Sequence, residues 1–209
     1  KFGVPIDEAT KTYELAKTLE NIKVEGIACH IGSQITTLDP YKKAFTKIAE
    51  MVKQLNQNGH NIIRVDLGGG IGVKYDDEKL IALEEYSQLV NEIFGSLNVK
   101  IFLEPGRAIS ASAGILVTEV QFIKHAAGRQ FAIVDAGMND LARPAVYGAY
   151  HNILNIKFSE EAEEYDVVGP ICESSDVFGR QRLISKISNG SLLAIETAGA
   201  YGAGMSSNY

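Results

Sequence analysis

The sequence contains only two cysteines, Cys29 and Cys172, among its 209 residues. They lie far apart, and neither belongs to a Cys-x-x-Cys pair. This pattern argues against a disulfide framework and against a zinc site, so we expect no bound metal. Few, unpaired cysteines are typical of a reducing compartment, and the sequence therefore predicts a cytoplasmic protein.

Long apolar runs are also missing. None approaches the ~20 residues that a membrane-spanning helix needs, so we expect no contact with a membrane. The first five residues do not resemble a signal peptide. Basic residues are fewer than acidic ones, with 20 Lys and Arg against 26 Asp and Glu, which gives a net charge of −6. A broad basic surface for nucleic acid is therefore not expected.

What the sequence does contain is the composition of a globular protein, with 45% hydrophobic residues. Helical and strand patterns alternate over the first half of the chain. The apolar spacing predicts helices over 7–19, 39–57 and 80–94, and strands over 24–29, 62–67 and 99–103. Asp7 and Asp39 are predicted as helix N-caps, and Asn58-Gly59 as a helix stop. Such alternation indicates parallel strands covered by helices.

Each predicted strand ends in a polar or glycine-rich turn. In a (β/α) barrel these turns meet on one rim, where chemistry is carried out. The turns favour half a barrel over a doubly wound sheet, although periodicity alone does not decide between the two. After residue 109 the helical rhythm fades, and strands are predicted over 114–120, 131–134, 166–168, 182–187 and 192–197. These indicate an antiparallel β domain, with the acidic stretch 159–165 as a loop or edge.

Two turns of the first half could hold a cofactor. The run Gly68-Gly69-Gly70-Ile71-Gly72 follows a strand directly, and glycines let backbone N–H groups approach a phosphate closely. It matches neither the dinucleotide fingerprint nor the Walker A loop, and a plain tight turn explains it equally well. His30 ends the preceding strand; a packed histidine is the favoured interpretation, and stacking on a cofactor ring is the alternative.

Four further segments carry groups that could take part in chemistry. One turn carries a carboxylate at its start and a guanidinium at its end, Glu104-Pro105-Gly106-Arg107. The two groups could form a salt bridge with each other. Alternatively, the carboxylate could hold a ring nitrogen of a ligand and the guanidinium an anion. Cys172 and Glu173 lie in a polar turn where a buried, inert thiol is not expected. The other candidates are Arg143, Tyr147 and Tyr201.

Six short motifs occur along the chain. Each motif alone is weak evidence for a family, but their order and spacing together are specific. They are HIGSQ (30–34), DLGGGIG (66–72), EPGR (104–107), DAGMNDLARPAVY (135–147), GPICESSD (169–176) and AGAYGAGMSS (198–207). In this order the chain resembles the meso-diaminopimelate decarboxylases, which are pyridoxal phosphate (PLP) enzymes with the alanine-racemase-like fold. They are related to the ornithine and arginine decarboxylases. The resemblance extends over the whole chain.

The resemblance implies an α/β fold, with residues 1–108 as part of a PLP-binding (β/α)8 barrel and residues 109–209 as part of a C-terminal β domain. It also implies a homodimer with shared active sites, in which Cys172 donates a proton across the interface. The residues implied in PLP binding are His30, Ser33, Gly68, Gly69, Gly70, Gly72, Glu104, Pro105, Gly106, Arg107 and Tyr201. Those implied in binding the substrate, meso-diaminopimelate, are Arg107, Arg143, Tyr147, Glu173 and Tyr201.

The sequence departs from the family at one point. The family's Schiff-base lysine lies in a YxxKAN-like strand, and no such motif occurs here. A complete barrel takes ~250 residues, so the chain is predicted to be a fragment that lacks the first barrel strands. Two alternatives stay open: a sister decarboxylase of ornithine, arginine or carboxynorspermidine, and a non-catalytic homologue.

Overall fold

A computed structural model of the chain describes residues 2–209. The chain folds into two compact units. The first unit comprises the residues up to Gly72 together with Lys79–Arg107. The second comprises Val73–Glu78 together with Ala108–Tyr209. Each has its own hydrophobic core.

The first unit is a three-stranded parallel sheet with three helices. The strands are β1 (Gly26–Ala28), β2 (Arg64–Asp66) and β3 (Lys100–Phe102), and they lie in the order β1-β2-β3. The helices are α1 (Ile6–Lys17), α2 (Leu38–Gln57) and α3 (Leu83–Phe94). Gly26 pairs with Arg64, and Arg64 with Lys100, so the three strands end level with one another. The predicted alternation and the parallel pairing are confirmed.

Helix α2 shows why this unit folds as it does. Tyr41, Phe45, Val52 and Leu55 recur at helical spacing, and all four are buried in the first core. The helix ends at Gln57, and Gly59 follows with a φ of 80°, a conformation that glycine adopts without strain. The predicted stop is therefore confirmed.

The predicted N-caps are both wrong by two positions. Helix α2 begins at Leu38 with Thr37 as its N-cap, and α1 begins at Ile6 after Pro5. Asp39 and Asp7 therefore lie inside the first turns, where a negative charge still interacts favourably with the helix dipole.

The second unit is a six-stranded sheet in the order β6-β9-β4-β5-β7-β8. Its strands are β4 (Leu116–Ala126), β5 (Arg129–Val134), β6 (Ile153–Asn155), β7 (Ala162–Val168), β8 (Val177–Ser185) and β9 (Leu192–Ile195). Two short α-helices, α4 (Arg107–Ser110) and α5 (Arg143–Tyr147), and two 3-10 helices, Ala111–Ala113 and Ala203–Met205, make up the remaining helical segments of the described residues. All strand pairs are antiparallel except β5 and β7, which run parallel, so the purely antiparallel prediction is wrong at this one pair.

The acidic stretch 159–165 is only partly the loop that was predicted. Its second half belongs to β7, because Tyr165 packs into the second core and nearby glutamate carboxylates form ion pairs with a lysine. Lys186 Nζ lies 3.4 Å from a Glu163 carboxylate oxygen and 3.0 Å from one of Glu161. Strand β6 and the short helices α4 and α5 were not predicted.

Within residues 2–209 no helix combines the length and the apolar character needed to cross a bilayer. Both cysteines carry free thiols, as expected; Cys29 is half-buried and Cys172 is exposed.

Candidate active site

The glycine turn after β2 is packed tightly against neighbouring backbone. A Cβ atom added at any of its first three glycines would clash with a carbonyl oxygen. The distances would be 2.4 Å from Gly68 to that of Cys29, 2.1 Å from Gly69 to that of Glu104 and 2.3 Å from Gly70 to that of Gly32. Gly68 and Gly70 also have positive φ angles, 66° and 99°. The sequence needs glycine here because no side chain fits between the strand ends.

The turn that begins at Glu104 lies directly beside the glycine turn. The Glu104 backbone N–H donates to the Gly68 carbonyl oxygen at 2.8 Å. Each turn follows one of two adjacent parallel strands, so both project from the same edge of the sheet. The structure therefore brings together two of the segments that the sequence singled out.

Most N–H groups of the glycine turn already have partners. Gly68 N–H donates to Asp66 Oδ1 at 2.8 Å, and Gly72 N–H donates to the Ile35 carbonyl oxygen at 3.0 Å. Gly69 N–H donates to His30 Nδ1 at 3.3 Å. For Gly70 N–H no acceptor is found within residues 2–209. The bonds to Asp66, Ile35 and His30 fix the turn, so the N–H group of Gly70 is the best placed of these four to meet an anion.

His30 packs its ring against this turn. Because Nδ1 accepts the Gly69 N–H, the ring is neutral with its proton on Nε2. His30 and Glu104 line one cavity of about 520 Å³, together with apolar groups that include Tyr13, Ile27 and Cys29. This volume lies within the range of small-molecule sites, and its lining combines an aromatic ring, a carboxylate and apolar walls.

Ser33 and Arg107 also meet. Arg107 Nε lies 3.4 Å and Nη2 3.3 Å from Ser33 Oγ, so the guanidinium donates to the hydroxyl oxygen. A hydroxyl that accepts from arginine keeps its own O–H to donate, and the pair can therefore serve an anion. Pro105 and Gly106 are exposed on the turn between Glu104 and Arg107.

One residue that supports the turn lies in the predicted helix 39–57 and was not singled out as a candidate site residue. The hydroxyl of Tyr41 donates to the Gly69 carbonyl oxygen at 3.4 Å, from the buried face of α2. Burial raises the pKa of Tyr41 to about 12, so the hydroxyl stays protonated and remains a donor. Its position in an apolar helical face gave no signal of this contact.

In the second unit Cys172 and Glu173 share one exposed turn, as the sequence predicts. Asp176 holds this turn in place, since its buried carboxylate accepts the N–H of Ile171 at 2.8 Å and that of Met138 at 2.7 Å. Asp176 thereby links the Cys172 turn to the segment before Arg143.

The Glu173 side chain has a phenolic partner. The Tyr209 hydroxyl donates to Glu173 Oε1 at 2.5 Å. This hydrogen bond raises the pKa of Tyr209. The contact was not predicted.

Arg143 is buried, which the sequence did not indicate. Its Nη1–H donates to His151 Nε2 at 2.6 Å, and its guanidinium lies 4.4 Å from the centre of the Tyr75 ring. Tyr147 and Tyr201 are 66% and 47% exposed, and Tyr201 has a φ of 58°, which is rare for a bulky residue.

Comparisons with known proteins decide the family. Residues 12–199 match the family model described as "Pyridoxal-dependent decarboxylase, C-terminal sheet domain". The chain belongs to this family of pyridoxal-dependent decarboxylases. The family predicted from the six motifs is thus confirmed, and the α/β fold with a second sheet is the one that the family's structures show.

Relatives of this chain include a protein of Haemophilus influenzae named diaminopimelate decarboxylase, 50% identical over 100% of the chain and 51% of its own length. A solved diaminopimelate decarboxylase of Helicobacter pylori, complexed with L-lysine, is 41% identical with a TM-score of 0.95, over 100% of this chain and 52% of that one. A lysine/ornithine decarboxylase of Vibrio vulnificus, complexed with cadaverine, is 28% identical with a TM-score of 0.91, over 100% and 57%. The chain spans about half the length of the curated relatives it matches.

Proposed function

We propose that the chain is part of a PLP-dependent decarboxylase that converts meso-2,6-diaminopimelate to L-lysine and carbon dioxide, the last step of lysine biosynthesis. The observation that carries the proposal is the contact between the glycine turn and Glu104, beside the cavity that His30 and Glu104 line. A cradle for an anion and a carboxylate for a ring nitrogen then lie within reach of one small molecule. The names of the relatives supply the substrate.

The residues of the first unit fit PLP. Gly70 N–H and the Ser33 hydroxyl would hold the phosphate, and the backbone of residues 104–107, which includes Pro105, Gly106 and Arg107, would help. Gly68, Gly69 and Gly72 would shape the turn. His30 would stack on the ring and Glu104 would hold its protonated nitrogen, while Tyr201 would also contact PLP. When bound, PLP accepts the electron pair that the departing carboxylate leaves behind.

Four residues of the second unit would select the substrate together with Arg107. A guanidinium binds a carboxylate in two parallel hydrogen bonds, so Arg143 and Arg107 suit the distal carboxylate that must be retained. Tyr147 and Tyr201 would donate to the same substrate, and Glu173 would bind its distal ammonium. A substrate without the distal carboxylate would leave these donors unpaired.

Cys172 would complete the reaction. When carbon dioxide leaves, its bond to the α-carbon breaks, and the α-carbon then takes one proton as the electron pair of that bond returns to it. The Cys172 thiol would supply that proton at Sγ, and the free, exposed thiol supports this role. In the proposed homodimer with shared active sites, Cys172 acts across the interface between two protomers.

The domain assignment is part of the same proposal. Residues 1–108 would form part of the (β/α)8 barrel and residues 109–209 part of the β domain, with the Schiff-base lysine outside this chain. The cytoplasmic location likewise stays a prediction.

The alternative is a sister enzyme that acts on ornithine, arginine or carboxynorspermidine. The fold is compatible with it, because the lysine/ornithine decarboxylase has a TM-score of 0.91. Its lower identity, 28% against 50% for the Haemophilus influenzae relative, favours diaminopimelate. The arginine pair with Glu173 also favours a substrate with both a carboxylate and an ammonium at its distal end.

The test is release of carbon dioxide by the whole protein that contains this chain, in the presence of PLP. We expect release from meso-diaminopimelate and much slower release from L-ornithine, L-arginine and L-lysine. Faster release from ornithine would indicate the sister decarboxylase instead. If carbon dioxide were released from none of the four substrates, the protein would be a non-catalytic homologue.

A further inference from the structure

The second unit buries an arginine, a histidine and a tyrosine in one cluster. Arg143 is 7% exposed and His151 is 0% exposed, and Arg143 Nη1 lies 2.6 Å from His151 Nε2. The Tyr75 ring covers the guanidinium at 4.4 Å and meets the His151 ring edge-to-face, with 5.3 Å between the ring centres. Tyr75 comes from the Val73–Glu78 segment of this unit.

The hydrogen bonds of His151 define its protonation state. His151 Nδ1 lies 2.8 Å from the Glu196 carbonyl oxygen, which can only accept, so Nδ1 carries a hydrogen. Arg143 can only donate, so Nε2 must carry none. The imidazole is therefore neutral, with the tautomer that makes Nε2 an acceptor.

These two contacts restrain a planar group in two different ways. The Tyr75 ring lies against the Arg143 guanidinium carbon, 4.4 Å from the ring centre, and limits its movement on that side, while the hydrogen bond to His151 holds Nη1. A guanidinium that is fixed in both respects meets a carboxylate in one orientation, which favours two parallel hydrogen bonds.

We infer that His151 is a positioning residue that orients Arg143 toward the distal carboxylate of the substrate. The inference rests on the proposed function, in which Arg143 binds that carboxylate. His151 acts only through Arg143, so its loss should weaken substrate binding and leave the chemical step nearly unchanged.

The first experiment compares substitutions of His151 in the whole protein with PLP. Removing one partner of a buried hydrogen bond is typically worth about a tenfold change, so H151L should raise KM for meso-diaminopimelate by about tenfold, with kcat within about twofold. H151Q keeps an acceptor for Arg143 and should restore KM to within about threefold of the original value. The control H125L changes an exposed histidine of β4 and should leave both constants unchanged. An unchanged KM in H151L, or an H151Q as impaired as H151L, would overturn the inference.

A double substitution separates positioning from a structural role. In an R143A background, H151L should add nothing to KM, because the group that His151 orients is already absent. A full additional increase would show that His151 acts by another route.

A measurement that needs no turnover keeps the inference separate from the proposed function. Nitrogen-15 chemical shifts of labelled histidine in the whole protein should show His151 neutral at neutral pH, with its hydrogen on Nδ1. A hydrogen on Nε2 or a charged ring would overturn this inference even if the enzyme is active. Absence of carbon dioxide release by the unmodified protein would overturn the proposed function but would not affect the tautomer result. The NMR measurement also tests the inference if H151L does not fold.

Discussion

The backbone of Glu104 lies so close to Gly69 that a Cβ atom added at Gly69 would be 2.1 Å from the Glu104 carbonyl oxygen. The Glu104 N–H group also donates to Gly68, at 2.8 Å. These contacts join the segments that follow β2 and β3, which run parallel and side by side. The register of the sheet thus determines the distance between the glycine turn, proposed to bind the phosphate, and the Glu104 carboxylate, proposed to hold the cofactor ring.

The first prediction concerns this contact. In G69A the added methyl group must push the Glu104 segment away, and overpacking of this kind costs about 1–3 kcal/mol. We expect a lower thermal unfolding midpoint of the whole protein and weaker retention of PLP, measured from its visible absorbance.

Gly204 provides the matched control, because a Cβ atom there would meet nothing within 4 Å. G204A should therefore leave the unfolding midpoint and the bound PLP unchanged. If G69A behaved like G204A, the two turns would not be in contact in solution.

The sequence predicts this arrangement for a general reason. Strands 62–67 and 99–103 were predicted as parallel neighbours, and the carboxyl ends of parallel strands lie along one edge of a sheet. The glycine run and Glu104 follow those ends, so their proximity comes from topology alone. The structure shortens the strands to Arg64–Asp66 and Lys100–Phe102 without changing the edge on which the turns lie.

The surroundings of Arg143 could not be predicted in this way. Its partners, Tyr75 and His151, come from separate segments of the chain, and no periodic pattern links them. The parallel pairing of β5 with β7 was missed for a similar reason, since strand patterns do not specify direction. Long-range pairings of this kind depend on packing of the whole unit.

Glu104 tests the role of the carboxylate. Loss of a hydrogen bond to a charged group is worth roughly a tenfold to hundredfold change in rate, so E104A should lower kcat by about that factor. PLP retention should fall less, because the phosphate would keep the Ser33 hydroxyl, the Gly70 N–H group and the backbone of Arg107. Carbon dioxide release and the absorbance of bound PLP measure the two effects, with the exposed E20A as control. Complete loss of PLP with E104A would contradict a role limited to the ring nitrogen.

Cys172 tests the proton transfer. Proton transfer by a positioned side chain contributes about 10²–10⁴-fold, so C172A should lower kcat by at least about a hundredfold. KM for meso-diaminopimelate should change little, because the thiol contacts the reacting carbon only after carbon dioxide leaves. The control is E20A, an exposed position outside the candidate site. An equal loss of substrate binding in C172A would refute the proposed role.

Asp176 tests how the Cys172 turn is held. Its carboxylate accepts two backbone N–H groups, and the amide of D176N can accept only one of them well. A buried donor without a partner costs about 1–3 kcal/mol, so amide hydrogen exchange at Met138 or Ile171 should accelerate markedly. Asp140 is the control, because its exposed carboxylate accepts only one backbone N–H, that of Gly137, and D140N retains one acceptor. Equal exchange in the two variants would mean that Asp176 does not fix the turn.

Thr118 and Asp135 provide a prediction on pH. The Thr118 hydroxyl donates to Asp135 Oδ1 at 2.5 Å, and Glu119 N–H donates to the same oxygen at 2.8 Å. The Thr118 bond is the larger cause, and together these bonds lower the pKa of Asp135. A carboxyl group whose pKa is lower in the folded state stabilises the fold above its unfolded pKa, and this contribution is lost as the pH falls through the folded pKa.

T118V removes the larger cause, so the pKa of Asp135 should rise toward its ordinary value of about 3.9. The carboxyl carbon of labelled aspartate, followed by NMR through an acid titration, measures this pKa directly. T46V makes the same chemical change on the surface of α2, where the hydroxyl donates to the Lys42 carbonyl oxygen, and it should leave Asp135 unchanged. The destabilisation of T118V should also shrink as the pH falls, because protonation removes the Asp135 contribution from both proteins; a difference that grows in acid would mean that Thr118 does not act through Asp135.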